Sequence, residues 1–334
     1  MQRFKNILAL YDHNVGDEAV FERAAALAKK YEAKLTVVDI IERVPSDTPT
    51  LLGPLIGNEP DAQRRFVEER QSHLERLIAS IKQEGVRVRA CVLLGKPYQE
   101  VIRAVLREGY DLVVIAANNL WGQNQITFGG TPLHLVRKCP CPIWVMRPRT
   151  EHRLQGILAA VDLSVTQEAS GALDLKILEL ASSLAQMEEC HLDVLCVWNT
   201  SGAGLDGSRF EFSDQMMQQL IERSGSIQRR SLPRLFEHIE LDGVKFEVHL
   251  LKGDPARVVP RMARHKSIDL IVMGTLWRTG MASFFTTDTA EQILRQVDCS
   301  TLTVKPDRFA KKPNFERFTT NWLSGGMHEI QALT

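Results

Sequence analysis

The chain of 334 residues says the same thing twice. Val92 to Pro148 aligns with Leu250 to Pro306 at a constant offset of 158 residues, which places Gly95 over Gly253, Pro97 over Pro255, Asp111 over Asp269 and Pro148 over Pro306. A repeat of this length is a duplicated domain, because solenoid units are far shorter and cannot bury a core alone. The earlier offset is smaller, since Asp12 pairs with Asp162, so the second copy carries extra residues in its middle. The expected division is residues 1–149, residues 150–306 and an irregular tail, residues 307–334, with no counterpart in the first half.

Each copy alternates two kinds of segment. Lys5 to Tyr11 is an apolar run of strand length, Glu18 to Lys30 has helical periodicity, and Lys34 to Ile40 is apolar again. A Pro- and Gly-rich loop, including the apolar stretch Thr50 to Gly57, leads to a charged helix from about Ala62 to Glu84. Val86 to Leu94, Asp111 to Ala116 and Ile143 to Met146 then read as strands, separated by helices at Tyr98 to Arg107 and Thr131 to Lys138. The second half repeats this order from Gln155 to Lys305, with Ser213 to Glu240 as its long helix. Alternating strands and helices predict an α/β fold of two tandem domains, each a five-stranded parallel sheet with helices on both faces. Ligands of such sheets sit beyond the carboxyl ends of strands where strand order reverses, an edge that should hold Asp12 and Ala116 in one copy and Asp162 and Gly274 in the other.

Composition narrows the function. Lys+Arg and Asp+Glu both count 41, so the chain has no positive field for non-specific nucleic-acid binding. Hydrophobic residues at 44% and charged residues at 25% are the globular balance. No apolar run approaches the length of a membrane span, and the short N-terminal run is no signal peptide, so a cytoplasmic protein is expected. The six cysteines, Cys139-Pro140-Cys141 among them, read as reduced thiols, the pair as small buried residues at the mouth of a strand. The nine histidines include no H-x-x-x-H pair, and no metal site is assigned.

A strand ending in Asp, Gly253-Asp254-Pro255 before a helix, Asp269-Leu270-Ile271-Val272-Met273-Gly274-Thr275, Arg278-Thr279-Gly280, and a final helix Thr289 to Leu294 together resemble the universal stress proteins of the tandem-domain type. The resemblance covers nearly the whole chain. It implies a flavodoxin-like, adenine-nucleotide-hydrolase-like fold, two domains packed on each other through their last strands as an internal pseudo-dimer, a homodimer as a further option for the whole chain, and ATP as the cofactor to consider. Nucleotide-binding members carry G-x-x-G-x9-G-[ST], whose glycines let backbone amides approach phosphate at a helix N-terminus. Those positions are Ala116, Asn119, Gly129 and Gly130 in the first copy, and Gly274, Trp277, Thr287 and Asp288 in the second. Neither copy keeps the set. Asp288 with Glu291 reads as a capping box that occupies the amides phosphate would use.

By resemblance, the cofactor-binding candidates are Asp12, Gly129, Gly130, Asp162, Gly253, Gly274, Thr275, Arg278 and Gly280, with no catalytic residue among them. Trp121 and Trp277 are alternative lining of an apolar pocket. The expectation is a non-enzymatic stress-response module that binds a small ligand or a protein. The alternative is an ATP-binding protein with at most slow hydrolysis.

Overall fold

The computed structural model describes residues 4–12, 18–42, 60–117, 130–147, 153–161, 168–198, 236–237, 239, 241, 243–275 and 287–306. In the first half the elements are β1 (Asn6–Tyr11), α1 (Glu18–Tyr31), β2 (Lys34–Ile41), α2 (Pro60–Gln83), β3 (Arg87–Leu94), α3 (Pro97–Glu108), β4 (Leu112–Ala116), α4 (Gly130–Lys138) and β5 (Ile143–Met146). The second half gives β6 (Gly156–Val161), α5 (Glu168–Glu188), β7 (His191–Trp198), β8 (Phe246–Lys252), α6 (Pro255–His265), β9 (Leu270–Gly274), α7 (Thr287–Gln296) and β10 (Ser300–Val304). The apolar loop at 50–57, most of the helix expected from Ser213 to Glu240, and the tail from residue 307 lie outside the described residues.

The ten strands among the described residues join one sheet in the order β3-β2-β1-β4-β5-β10-β9-β6-β7-β8. Within each half the strands are parallel, as the strand-helix alternation predicts. The halves meet where β5 and β10 run antiparallel, with Trp144 opposite Leu302. An antiparallel pair of equivalent strands relates the two copies by a local two-fold axis.

Strand periodicity sorts side chains onto two faces. Ile7, Ala9 and Tyr11 of β1 pack under α1 and α2, in a core that continues through Trp144 to Ile157, Ala159 and Val161 of β6 under α5. Leu8 and Leu10 face the other way, in a core shared by α3, α4, α6 and α7. Each core therefore crosses the seam.

Several sequence matches have local causes. Asp111 accepts from the backbone N–H groups of Lys5 (2.7 Å) and Asn6 (3.0 Å), tying the start of β4 to the start of β1. Asp269 does the same for Gln155 (2.7 Å) and Gly156 (3.1 Å). Gly95 and Gly253 stand at φ 149° and 153°, a region that side-chain-bearing residues avoid. Pro97 and Pro255 follow in the first turns of α3 and α6, where a missing N–H costs nothing.

Candidate functional site

Strand order reverses between β1 and β4 in the first half and between β6 and β9 in the second. Leu10 lies beside Ile115, so Asp12 and Ala116 emerge together at the carboxyl edge. Ala160 lies beside Met273, which brings Val161 and Gly274 to the equivalent edge. Gly130 opens α4, and Gly253 makes the turn from β8 into α6. Gly129, Asp162, Arg278, Gly280, Trp121 and Trp277 lie outside the described residues.

Gly274 has a packing role of its own. A Cβ there would stand 2.8 Å from Leu173 Cδ2 and 3.3 Å from Ile177 Cδ1, so the missing side chain lets α5 lie close against β9. Thr275 follows, and its N–H donates to the Val304 carbonyl at 2.9 Å, extending the β9–β10 ladder. The Thr275 hydroxyl is buried and has no hydrogen-bond partner among the described residues. An orphaned hydroxyl is costly, and a polar ligand group at this edge would satisfy it.

The two helices that start at the edge differ in charge. Gly130 is exposed, a Cβ on it would meet nothing closer than 3.8 Å, and no acidic residue lies in the first turn of α4. The unpaired amides and dipole of that turn favour an anion. In α7 the first turn contains Asp288, exposed and anionic, where a phosphate would be repelled.

Asp288 and Glu291 do not form the expected capping box among the described residues. The helix begins at Thr287, so Asp288 lies inside the first turn. Glu291 gives both carboxylate oxygens to Arg137 of α4, with Arg137 Nε on Oε1 and an Arg137 terminal nitrogen 2.7 Å from Oε2. Bidentate geometry to a guanidinium outcompetes a single back-bond to the main chain. The Glu291 pair raises the Arg137 pKa further.

Nearby, His134 stacks on Tyr98 at 4.3 Å, and Lys138 lies over the same Tyr98 ring at 5.4 Å. The His134 pKa is lowered by burial, then by Lys138 and Arg137. Its Nδ1 is buried with no partner among the described residues. Cys139 and Cys141 are both buried, with their sulfurs 3.6 Å apart.

As regards a nucleotide, the described residues fit unevenly. The start of α4 would take a phosphate, Thr275 would take a hydroxyl or amine of the ligand, and Asp288 opposes phosphate in the second copy.

The comparisons agree with a tandem α/β molecule. A functionally unknown protein of Pseudomonas aeruginosa superposes with a TM-score of 0.72 at 18% identity, over 95% of this chain and 98% of that one. A universal stress protein from Archaeoglobus fulgidus superposes with a TM-score of 0.62 at 16% identity, over 91% and 98%. The universal stress protein family matches residues 3–147 and again residues 155–305, and the chain belongs to that family. Among curated relatives it is similar to universal stress protein E of Escherichia coli, 26% identical over 313 residues, which cover 92% of this chain and 96% of that protein. The universal stress protein E homolog of Haemophilus influenzae is 22% identical over 312 residues, 92% of this chain and 99% of its own. Among the described residues no helix is long and apolar enough to cross a membrane.

Proposed function

We propose that this universal stress protein acts in the stress response as a non-enzymatic binding module for a small ligand, with nucleotide-binding loops degenerate in both copies. The observation that carries the reading is the contrast between the two helix starts at the carboxyl edge. One is glycine and uncharged, and the other holds Asp288. A carboxylate in the first turn already draws on the dipole that phosphate would use, and that interaction is worth about 0.3–1 kcal/mol. Neither copy pairs a clear anion site with the full set of glycines.

The orphaned Thr275 hydroxyl favours a second reading, in which the second copy holds ATP and hydrolyses it slowly at most. Native mass spectrometry with excess magnesium-ATP, together with a phosphate-release assay, separates the two. The first reading expects no stoichiometric ATP and no phosphate release, while Asp288→Ser strengthens residual binding about two- to fivefold. One ATP retained per chain, lost in Thr275→Val and kept in Gly130→Asp, would establish the second.

A further inference from the structure

Away from the carboxyl edge, β7 and β8 build a polar cluster on the α6 face of the sheet. Strand period two puts His191 and Asp193 on one face of β7, and Glu247 and His249 on the same face of β8. The register sets Asp193 directly opposite Glu247. Asp193 is only 2% exposed. Two carboxylates facing each other across neighbouring strands repel, and a buried one needs positive charge close by.

The first copy shows what the fold does with this place. Thr36 opposes Arg89 in the same register. The Arg89 guanidinium donates to Thr36 Oγ1 at 3.1 Å, to the Tyr110 hydroxyl at 3.0 Å and to Glu108 at 3.4 Å. There the protein supplies its own cation between the strands. In the second copy the equivalent positions are both carboxylates. The side chain arriving from the end of the following helix is Lys266, 2.7 Å from Glu247 and 3.5 Å from Asp193. One ammonium serves two carboxylates.

We propose that His191, Asp193 and Glu247 form a binding site for a divalent transition ion of the zinc type. One ligand atom from each side chain already lies within 4.8 Å of the others. Tetrahedral ligands at about 2.0–2.2 Å from zinc stand roughly 3.4 Å apart, so closing the site takes small side-chain rotations. The His191 and Glu247 side chains are 41% and 54% exposed and have that freedom, while Asp193 is fixed. His249 Nε2 stands 2.6 Å from Asp193 Oδ1 and, as a donor, leaves Oδ2 turned toward His191 at 3.7 Å. A ligating carboxylate oriented by a neighbouring imidazole is how protein metal sites set their geometry. Imidazole and carboxylate donors without thiolate suit zinc and its neighbours, and three protein ligands leave a fourth position for water. The entering ion displaces Lys266, whose side chain is 31% exposed and can swing into solvent. Two positive charges then meet two negative ones.

The test uses the full-length protein stripped with a chelator and titrated with zinc chloride, followed by calorimetry and a chromophoric zinc competitor, with cobalt(II) as a spectroscopic probe. One zinc per chain is expected, with affinity falling at least tenfold in His191→Ala and in Glu247→Gln, both partly exposed side chains whose loss leaves the core intact. Lys266→Gln removes the competing ammonium and is expected to tighten zinc severalfold. A merely structural ion-pair cluster would not show that gain. Zinc uptake that persists in the His191→Ala/Glu247→Gln double variant, or a cobalt complex with a thiolate charge-transfer band, overturns the assignment.

Discussion

Lys305 and Arg147 occupy equivalent positions in the two copies, and each reaches from the last strand of its own half into the other. Lys305 Nζ donates to the Cys139 carbonyl at 2.7 Å, just beyond α4. An Arg147 terminal nitrogen stands 3.5 Å from the Leu294 carbonyl near the end of α7. Helix ends carry unpaired carbonyls and partial negative charge, so a cation there is stabilised. Burial dominates for Lys305 and pushes its pKa down to about 8, although the Cys139 and Cys141 sulfurs pull the other way. A depressed lysine pKa means that the unfolded chain binds a proton the folded chain has released between about pH 8 and the ordinary value of 10.5. Stability contributed by this group therefore rises with pH through that window, by on the order of 3 kcal/mol. Urea unfolding of the wild type and Lys305→Met at a series of pH values checks this. The wild type should gain stability relative to the variant above pH 8, and parallel curves would show that Lys305 titrates normally.

Among the elements, β4 and β9 are the most legible in the sequence, because Leu112–Ala116 and Leu270–Gly274 are short apolar runs buried on both faces. The starts of α3 and α6 at Pro97 and Pro255 were legible to within a residue, whereas α2 begins at Pro60 inside a stretch that reads as loop. The candidate edge site was legible only as far as strand order carries it. Asp12, Ala116 and Gly274 fall where a doubly wound sheet must put them, but the partner of Glu291 is Arg137, 154 residues away, and no local pattern announces it. The β7–β8 cluster escaped for a similar reason. His-x-Asp and Glu-x-His look unremarkable along the chain, and only the register that sets Asp193 opposite Glu247 makes them one group. The strand-tying aspartates, by contrast, are a sequence match with a measurable load. Asp269→Ala leaves the Gln155 and Gly156 amides without their acceptor, and a loss of about 1–3 kcal/mol in urea unfolding is expected. The equivalent Asp111→Ala should cost a similar amount, since its two contacts have the same form.

For the whole molecule, duplication suggests two units that unfold separately, whereas the seam argues for one. β5 and β10 continue the sheet across the seam, and Trp144 at its centre is 1% exposed. Flanking helices are tied across it on both faces. On one, Arg23 of α1 pairs with Glu188 of α5 at 2.5 Å, both side chains 9% exposed, and the Tyr31 and Ser183 hydroxyls stand 3.2 Å apart. On the other, Arg137 of α4 grips Glu291 of α7. The last strands pair the two copies within the chain, as the resemblance implies, so a homodimer of whole chains would use another surface. The outer edges of the sheet are β3 and β8, and β8 exposes Phe246 and Val248. Sedimentation reads that directly against a chain mass of 37.7 kDa. The seam also sets the unfolding behaviour. Both hydrophobic cores run from one copy into the other, so neither half can open without exposing apolar surface of its neighbour. Calorimetry should show a single transition whose van't Hoff and calorimetric enthalpies agree. Glu188→Gln, which deprives the buried Arg23 guanidinium of its carboxylate, should lower that transition as a whole, by about 3–5 kcal/mol. Two resolved transitions in the wild type would mean that the copies fold independently and that the continuous sheet contributes little between them. A single transition that shifts without splitting in Glu188→Gln places the cooperative unit at the level of the ten-stranded sheet.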